Sequence, residues 1–161
     1  MSETQVTWPL VSNVIRGKSE RNTFGMVRKF ANSSPKPHQG WDFSAAIGTA
    51  VYAVADGKVE FIKNSGDYGL QLCMSFKFKG ATYYAFYAHL QSTSVTAGKD
   101  VALNDVIGAT GNSGNAKNLP HSEDHLHFEI RTKLSPGAGL AGRISPLKIY
   151  KHCPLRAPIP G

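Results

Sequence analysis

Leu70, Leu72, Met74, Phe76 and Phe78 alternate with Gln71, Cys73, Ser75, Lys77 and Lys79. A period of two belongs to a β-strand, whose successive side chains point to opposite faces. Gly80 closes the run. Ala81 to Leu90 then returns as a second strand, with Tyr84, Phe86 and Ala88 on one face and Tyr83, Ala85, Tyr87 and His89 on the other. Two such strands back to back commit the middle of the chain to antiparallel sheet. Val51 to Ile62 reads as a further hairpin around Asp56-Gly57, a tight-turn pair. Val101 to Ala109 supplies one or two short strands, and Gly111 to Asn115 reads as a loop. The stretch Asn32-Ser33-Ser34-Pro35-Lys36-Pro37 also reads as loop, since proline is excluded from helices and sheet interiors. After Pro136 the chain reads as loop, with one short turn of helix near Leu147 to Tyr150. The predicted fold class is all-β: a single-domain antiparallel sandwich or barrel-like core with a loop-rich periphery and little helix.

The densest chemistry lies in His125-Leu126-His127-Phe128-Glu129. Leu126, Phe128 and Ile130 alternate with His125, His127, Glu129 and Arg131, the pattern of a half-buried strand. Both imidazoles then leave the same face, with Cα atoms about 6.6 Å apart. Two more histidine segments join them: His38-Gln39-Gly40-Trp41-Asp42, and Tyr87-Ala88-His89-Leu90 at a strand end. A catalytic zinc site takes three ligands from His, Asp or Glu and leaves one position for water. A His and an Asp close in sequence, plus a His from a distant strand, can supply that set. Two histidines would remain for proton handling. The spacing alone does not say whether His125 and His127 both coordinate, or whether one acts on the bound water.

Composition sets bounds. The chain has 161 residues, enough for one domain with one core. Eighteen Lys and Arg against 11 Asp and Glu give a net charge of +7, scattered with no basic block. That excess suits a soluble basic surface or approach to any polyanion. No apolar run reaches the ~20 residues of a membrane span. Cys73 and Cys153 lack metal-ligand spacing and are either a pair or two buried thiols.

Taken together the motifs resemble the LytM/lysostaphin-type zinc metallopeptidases, peptidase family M23. The matching run covers about residues 24 to 130: Phe24-Gly25, His38-x-x-x-Asp42, Gly48 to Ala53, Asp56-Gly57-Lys58-Val59, Tyr87-Ala88-His89-Leu90, Gly108-x-x-Gly111-Asn112-Ser113-Gly114, and His125 to Glu129. The resemblance implies that His38, Asp42 and His127 hold Zn²⁺ and that His89 and His125 are the catalytic pair. One of the two takes the proton of the attacking water, with His125 favoured as base. The other stabilises the oxyanion or protonates the leaving amine. It also implies a substrate, the cross-links or stem peptides of bacterial peptidoglycan. It does not choose between glycine bridges and D-Ala–diaminopimelate cross-links. One domain is expected over 1–161, with an N-terminal extension at 1–23, a catalytic core at 24–135 and a C-terminal extension at 136–161.

Two departures stand out. The family often has an arginine two residues after its Phe-Gly pair, whereas here Met26 and Val27 precede Arg28. The loop from Asn115 to Asp124 is long and brings His121, Glu123 and Asp124 near the histidine strand. Glu129 is a candidate for orienting an imidazole, though an exposed strand carboxylate is the simpler expectation. His121 and His152 are expected at the surface. Trp41, Tyr83 and Tyr87 are candidates for a substrate groove or, as aromatic residues in β-proteins usually are, for the core.

No basic n-region and apolar stretch marks Met1 to Gln5 as a secretory signal. A wall hydrolase acting in the periplasm or cell wall then needs another route. An injected antibacterial effector with a neutralising immunity protein is the preferred expectation, and a phage lysis or tail-associated enzyme is the alternative. Three rivals remain: a wall-binding regulator without activity, a glycosidase using Glu123 and Glu129, and a nucleic-acid binder, which no motif supports. No membrane insertion is expected, and the oligomeric state is not legible.

Overall fold

Residues 5–161 are described by a computed structural model. The strands, in chain order, are β1 (Ser12–Asn13), β2 (Gly25–Lys29), β3 (Pro35–His38), β4 (Trp41–Ser44), β5 (Ala50–Tyr52), β6 (Gly57–Ser65) and β7 (Gly69–Phe78). There follow β8 (Ala81–Thr93), β9 (Asp100–Val101), β10 (Val106–Thr110), β11 (His125–Arg131), β12 (Arg143–Ile144) and β13 (Ile159–Pro160), with one α-helical turn, α1 (Leu147–Tyr150), before the last strand. A nine-stranded sheet carries the fold, in the order β12-β11-β8-β7-β6-β9, with β4 paired to β11 and β10 bridging β8 and β5. Every pairing in it is antiparallel. The all-β class read from the alternation is the observed one, and α1 falls where the short helical turn was expected.

The alternation of β7 and β8 sorts two clusters onto two faces. Leu72, Met74, Phe76, Ala85 and Tyr87 go to the main core with Trp41, Phe43, Leu126 and Phe128. Cys73, Phe86 and Ala88 go to the other face with Phe61, Tyr68 and Tyr84. Tyr87 is buried at no cost in unpaired polar groups: its hydroxyl accepts from Val54 N–H at 3.2 Å and donates to the Tyr52 carbonyl at 3.1 Å. Trp41 and Tyr87 are therefore core residues, and Tyr83 packs against the core. None of the three lines the groove.

Three local expectations are corrected. Val51 to Ile62 is not a hairpin, because β5 pairs with β10 and β6 with β7. The turn residues 53–56 bind a distant loop instead: Asn104 N–H donates to the Ala53 carbonyl at 3.0 Å and Leu103 N–H to the Asp56 carboxylate at 2.8 Å. The proline-rich stretch ends in a strand, since β3 pairs with β2 in a separate two-stranded ribbon. Proline is tolerated there because such a ribbon has an open edge that needs no N–H donor. The histidine strand β11 is buried along its whole length rather than on one face.

Candidate metal centre

Four histidines and one aspartate converge where β3, β4, β8 and β11 meet. β4 pairs with β11 in a register that sets Asp42 opposite His127. Gly40, in the turn from β3 to β4, makes this possible: a Cβ there would run into the Phe128 carbonyl. The turn can thus lie flat on β11 and bring His38 and Asp42 to the same point.

His38, Asp42 and His127 each direct one ligand atom into a space where all three atoms lie within 4.8 Å of one another. His38 Nε2 is 3.1 Å and His127 Nδ1 2.9 Å from Asp42 Oδ1. The opposite nitrogens are anchored. His38 Nδ1 lies 2.8 Å from the Thr23 carbonyl and must donate to it. His127 Nε2 donates to Glu129 Oε2 at 2.7 Å. His38 then offers a bare Nε2 lone pair inward, and His127 turns Nδ1 inward against Asp42, where a metal would take the place of its proton. Two imidazoles and a carboxylate make a donor set that suits zinc.

Asp42 is held by its outer oxygen. Arg16 reaches Oδ2 at 3.0 Å and Arg28 at 3.2 Å, and both guanidiniums also donate to Asn22 Oδ1, at 2.8 and 2.9 Å. Arg28 arrives by way of a bulge: Gly25 pairs with His38 and Arg28 with Lys36, so β2 spends three steps where β3 spends two. The extra residue before Arg28 is absorbed there. Burial alone would raise the Asp42 carboxyl, but the surrounding His38, His127 and His125 hold it well below the usual carboxylate range.

Glu129 is fully buried, not the exposed strand carboxylate expected. Besides His127 it accepts from Arg131 Nε at 2.8 Å, Arg143 Nε at 2.7 Å and the Tyr68 hydroxyl at 2.9 Å. These donors outweigh the burial and push its carboxyl far down. Burial works against a charged His127, yet the hydrogen bonds it donates to Asp42 and Glu129 raise it to about 9. Tyr68 also stacks on His127, with centroids 5.5 Å apart.

His89 and His125 complete the cluster, their ring centroids 4.9 Å apart. His125 Nδ1 lies 2.9 Å from the Glu123 carbonyl and His89 Nδ1 2.8 Å from that of Ser113, so each ring leaves Nε2 free when neutral. Burial lowers both, His89 to about 3 with help from His127 and His125 beside it. His89 is not at a strand end. It is a bulge residue within β8, between the pairs Leu72 with Tyr87 and Leu70 with Leu90. Strict alternation would aim it at the core with Tyr87. A left-handed backbone, φ 61°, turns it to the face of Ala88 and His127 instead.

The five residues named from the sequence thus come together. Arg16, Asn22, Tyr68 and Arg143 were missed, and only a buried network could have marked them. His121 and His152 are exposed, as expected, and His121 meets only Asp124, at 3.0 Å. Glu123 bonds Arg16 at 3.2 Å. Both cysteines are free thiols. The cluster sits in a groove of about 1260 Å³.

Residues 36–138 match the model of peptidase family M23. The chain is 34% identical over 100 residues to the peptidoglycan DD-endopeptidase ShyA of Vibrio cholerae, which covers 62% of this chain and 21% of that protein. The chain thus spans about a fifth of that relative's length. Among solved structures, a zinc-containing peptidase from Vibrio cholerae aligns with TM-score 0.59 and 27% identity over 78% of this chain and 37% of that one. The catalytic domain of lysostaphin from Staphylococcus simulans shares the fold, with TM-score 0.63 and 24% identity over 81% of this chain and 90% of that one.

Proposed function

The chain belongs to peptidase family M23, and from that premise we propose that it is a zinc-dependent endopeptidase that hydrolyses peptide bonds of bacterial peptidoglycan. The observation that carries the reading is the gathering of four imidazoles around Asp42, each ring anchored through one of its nitrogens. His38, Asp42 and His127 would hold the Zn²⁺ of this family. Bound there, the ion supplies a Lewis acid and lowers the pKa of a water toward ~7. Arg16 and Arg28 fix the outer oxygen of Asp42 so that Oδ1 faces inward. Glu129 does the same for His127.

His89 and His125 do the proton work. Both are neutral near pH 7, because burial disfavours their charged forms, and both belong to the groove lining. His125 lies two residues from His127 on one stiff strand and acts as base. His89 faces it and acts on the oxyanion or leaving amine. General acid–base help of this kind contributes about 10²–10⁴-fold.

Purified protein loaded with zinc should convert cross-linked muropeptide dimers from sacculi to monomers. Chelation should abolish this and zinc restore it. A folded, zinc-loaded sample that cleaves neither diaminopimelate-type nor glycine-bridged walls refutes the reading and favours a wall-binding regulator. If the chain is delivered as an antibacterial effector, an immunity protein has to block this groove. Co-purification with the product of an adjacent gene tests that route separately from hydrolysis.

A further inference from the structure

The basic residues that look scattered in sequence are gathered by the fold. Seven Lys or Arg side chains line the groove against three Asp or Glu. Four of the seven are used internally: Arg16 and Arg28 on Asp42, Arg131 and Arg143 on Glu129. Of the acids, Asp42 and Glu123 are engaged by arginine, leaving Asp67. Arg21, Lys36 and Lys63 remain, all exposed and without a salt bridge among the described residues. Lys36 precedes His38 by two residues on β3, so both leave one face. Lys63 lies on another wall. Its Nζ is 4.6 Å from the Phe61 ring, and Phe61, Phe86, Tyr68 and His127 follow in ring contact at 6.4, 4.8 and 5.5 Å. Lys36 Nζ likewise lies 5.6 Å from the Phe30 ring, and cations without a carboxylate partner among the described residues thus line the groove that holds the histidine cluster.

Unpaired cations lining the groove of a reaction centre favour substrates that carry negative charge into it. When D-alanine is joined to the D-centre of diaminopimelate, the carbon bearing the acylated nitrogen keeps a free carboxylate. A glycine bridge carries no charge along its length. We propose that Arg21, Lys36 and Lys63 select cross-links with a free carboxylate next to the scissile amide over neutral bridges. This rests on the hydrolase reading above and adds the substrate class to it.

The test uses zinc-loaded protein and muropeptide dimers that differ only in amidation of that carboxylate, with a pentaglycine-bridged dimer alongside. It measures kcat/KM for the dimers and, by calorimetry, Kd for the free-acid and amidated monomers. Exposed ion pairs are worth roughly 1.5- to 5-fold each. The free acid should therefore be preferred by about tenfold at low salt in both readouts. In R21Q/K36Q/K63Q the ratio should fall toward one, while K148Q/K151Q, at exposed positions outside the groove lining, should keep it. A ratio near one in the parent protein overturns the proposal, as does a ratio unchanged in the triple variant. Faster cleavage of the pentaglycine dimer, or tighter binding of duplex DNA than of the free-acid monomer, also overturns it. Selective binding without cleavage would sink the hydrolase reading and leave the carboxylate selection standing, whereas cleavage without selectivity would do the reverse.

Discussion

Replacing Glu129 by alanine removes the one carboxylate that answers four buried donors. Arg131 and Arg143, both at most 5% exposed at their side chains, approach it at 2.8 and 2.7 Å. His127 and Tyr68 add bonds at 2.7 and 2.9 Å. Breaking a buried ion pair by deleting one partner costs about 3–5 kcal/mol, since the opposite charge is left in a dry site. For a domain of this size that is a fall of roughly 6–20 °C in Tm. A second effect should appear in metal affinity. Without Glu129 the His127 ring loses the partner that fixes its tautomer, and removal of such a partner costs about 10–100-fold in affinity. Urea unfolding in the presence of chelator measures the first effect, and competition with a chromophoric chelator the second. Glu123→Ala is the control: Glu123 is 40% exposed and bonds Arg16 at 3.2 Å, so a loss below about 1 kcal/mol is expected. Should Glu129→Ala unfold at the same urea concentration as Glu123→Ala and bind zinc equally well, the picture of a buried charge hub positioning His127 is wrong.

Arg28→Ala should weaken zinc binding by about tenfold. Adding Arg16→Ala should give less than the sum of the two losses, because both arginines hold Asp42 Oδ2 and Asn22 Oδ1; a chelator-competition cycle reads the coupling. Gly40→Ala should destabilise by about 1–3 kcal/mol, because the new Cβ meets the Phe128 carbonyl; a denaturant midpoint equal to the parent's would contradict the packing. Burial raises the Cys153 thiol to about 11 and Cys73 to about 12. At pH 8 Cys153 is then about one-thousandth thiolate, and alkylation should be slow, speeding up about tenfold per pH unit up to its pKa. Mass spectrometry should find buried Cys73 modified only after unfolding and half-buried Cys153 modified slowly in the native protein; rapid labelling of either at pH 8 in the native protein would refute this.

The residues of the candidate site were legible because their chemistry is rare and their local spacing tight. His38 and Asp42 are separated by one glycine turn, and His125 and His127 share a strand face whatever its burial. The partners that hold them were not legible. Arg16 and Asn22 lie in a polar stretch with no periodicity, and their role exists only once β4 is laid beside them. Glu129 looked exposed because alternation tells which face a residue takes, not what covers that face. Here Arg131, Arg143 and Tyr68 cover it. The failed hairpin at Asp56-Gly57 has the opposite cause: the turn residues were read correctly as local chemistry, but β5 found its partner in β10, more than fifty residues downstream. The strand from Pro35 was hidden because its prolines forbid only an interior position, and its place was at a rim.

The bulge in β8 has a consequence for how this protein tolerates change. Tyr87 and Leu90 both point into the core although three steps separate them, and they can do so only because one residue between them is supernumerary to the ladder. His89 is that residue. Its ring can be exchanged for another without disturbing the apolar side of the sheet, so the chemistry at this point is free to drift. Nor does the core need its place in the chain: deleting the residue would leave Tyr87 and Leu90 two steps apart, still on one face, and the ladder to β7 without a bulge. The ring that faces His125 rides on a residue that the apolar side of the sheet neither requires nor resists.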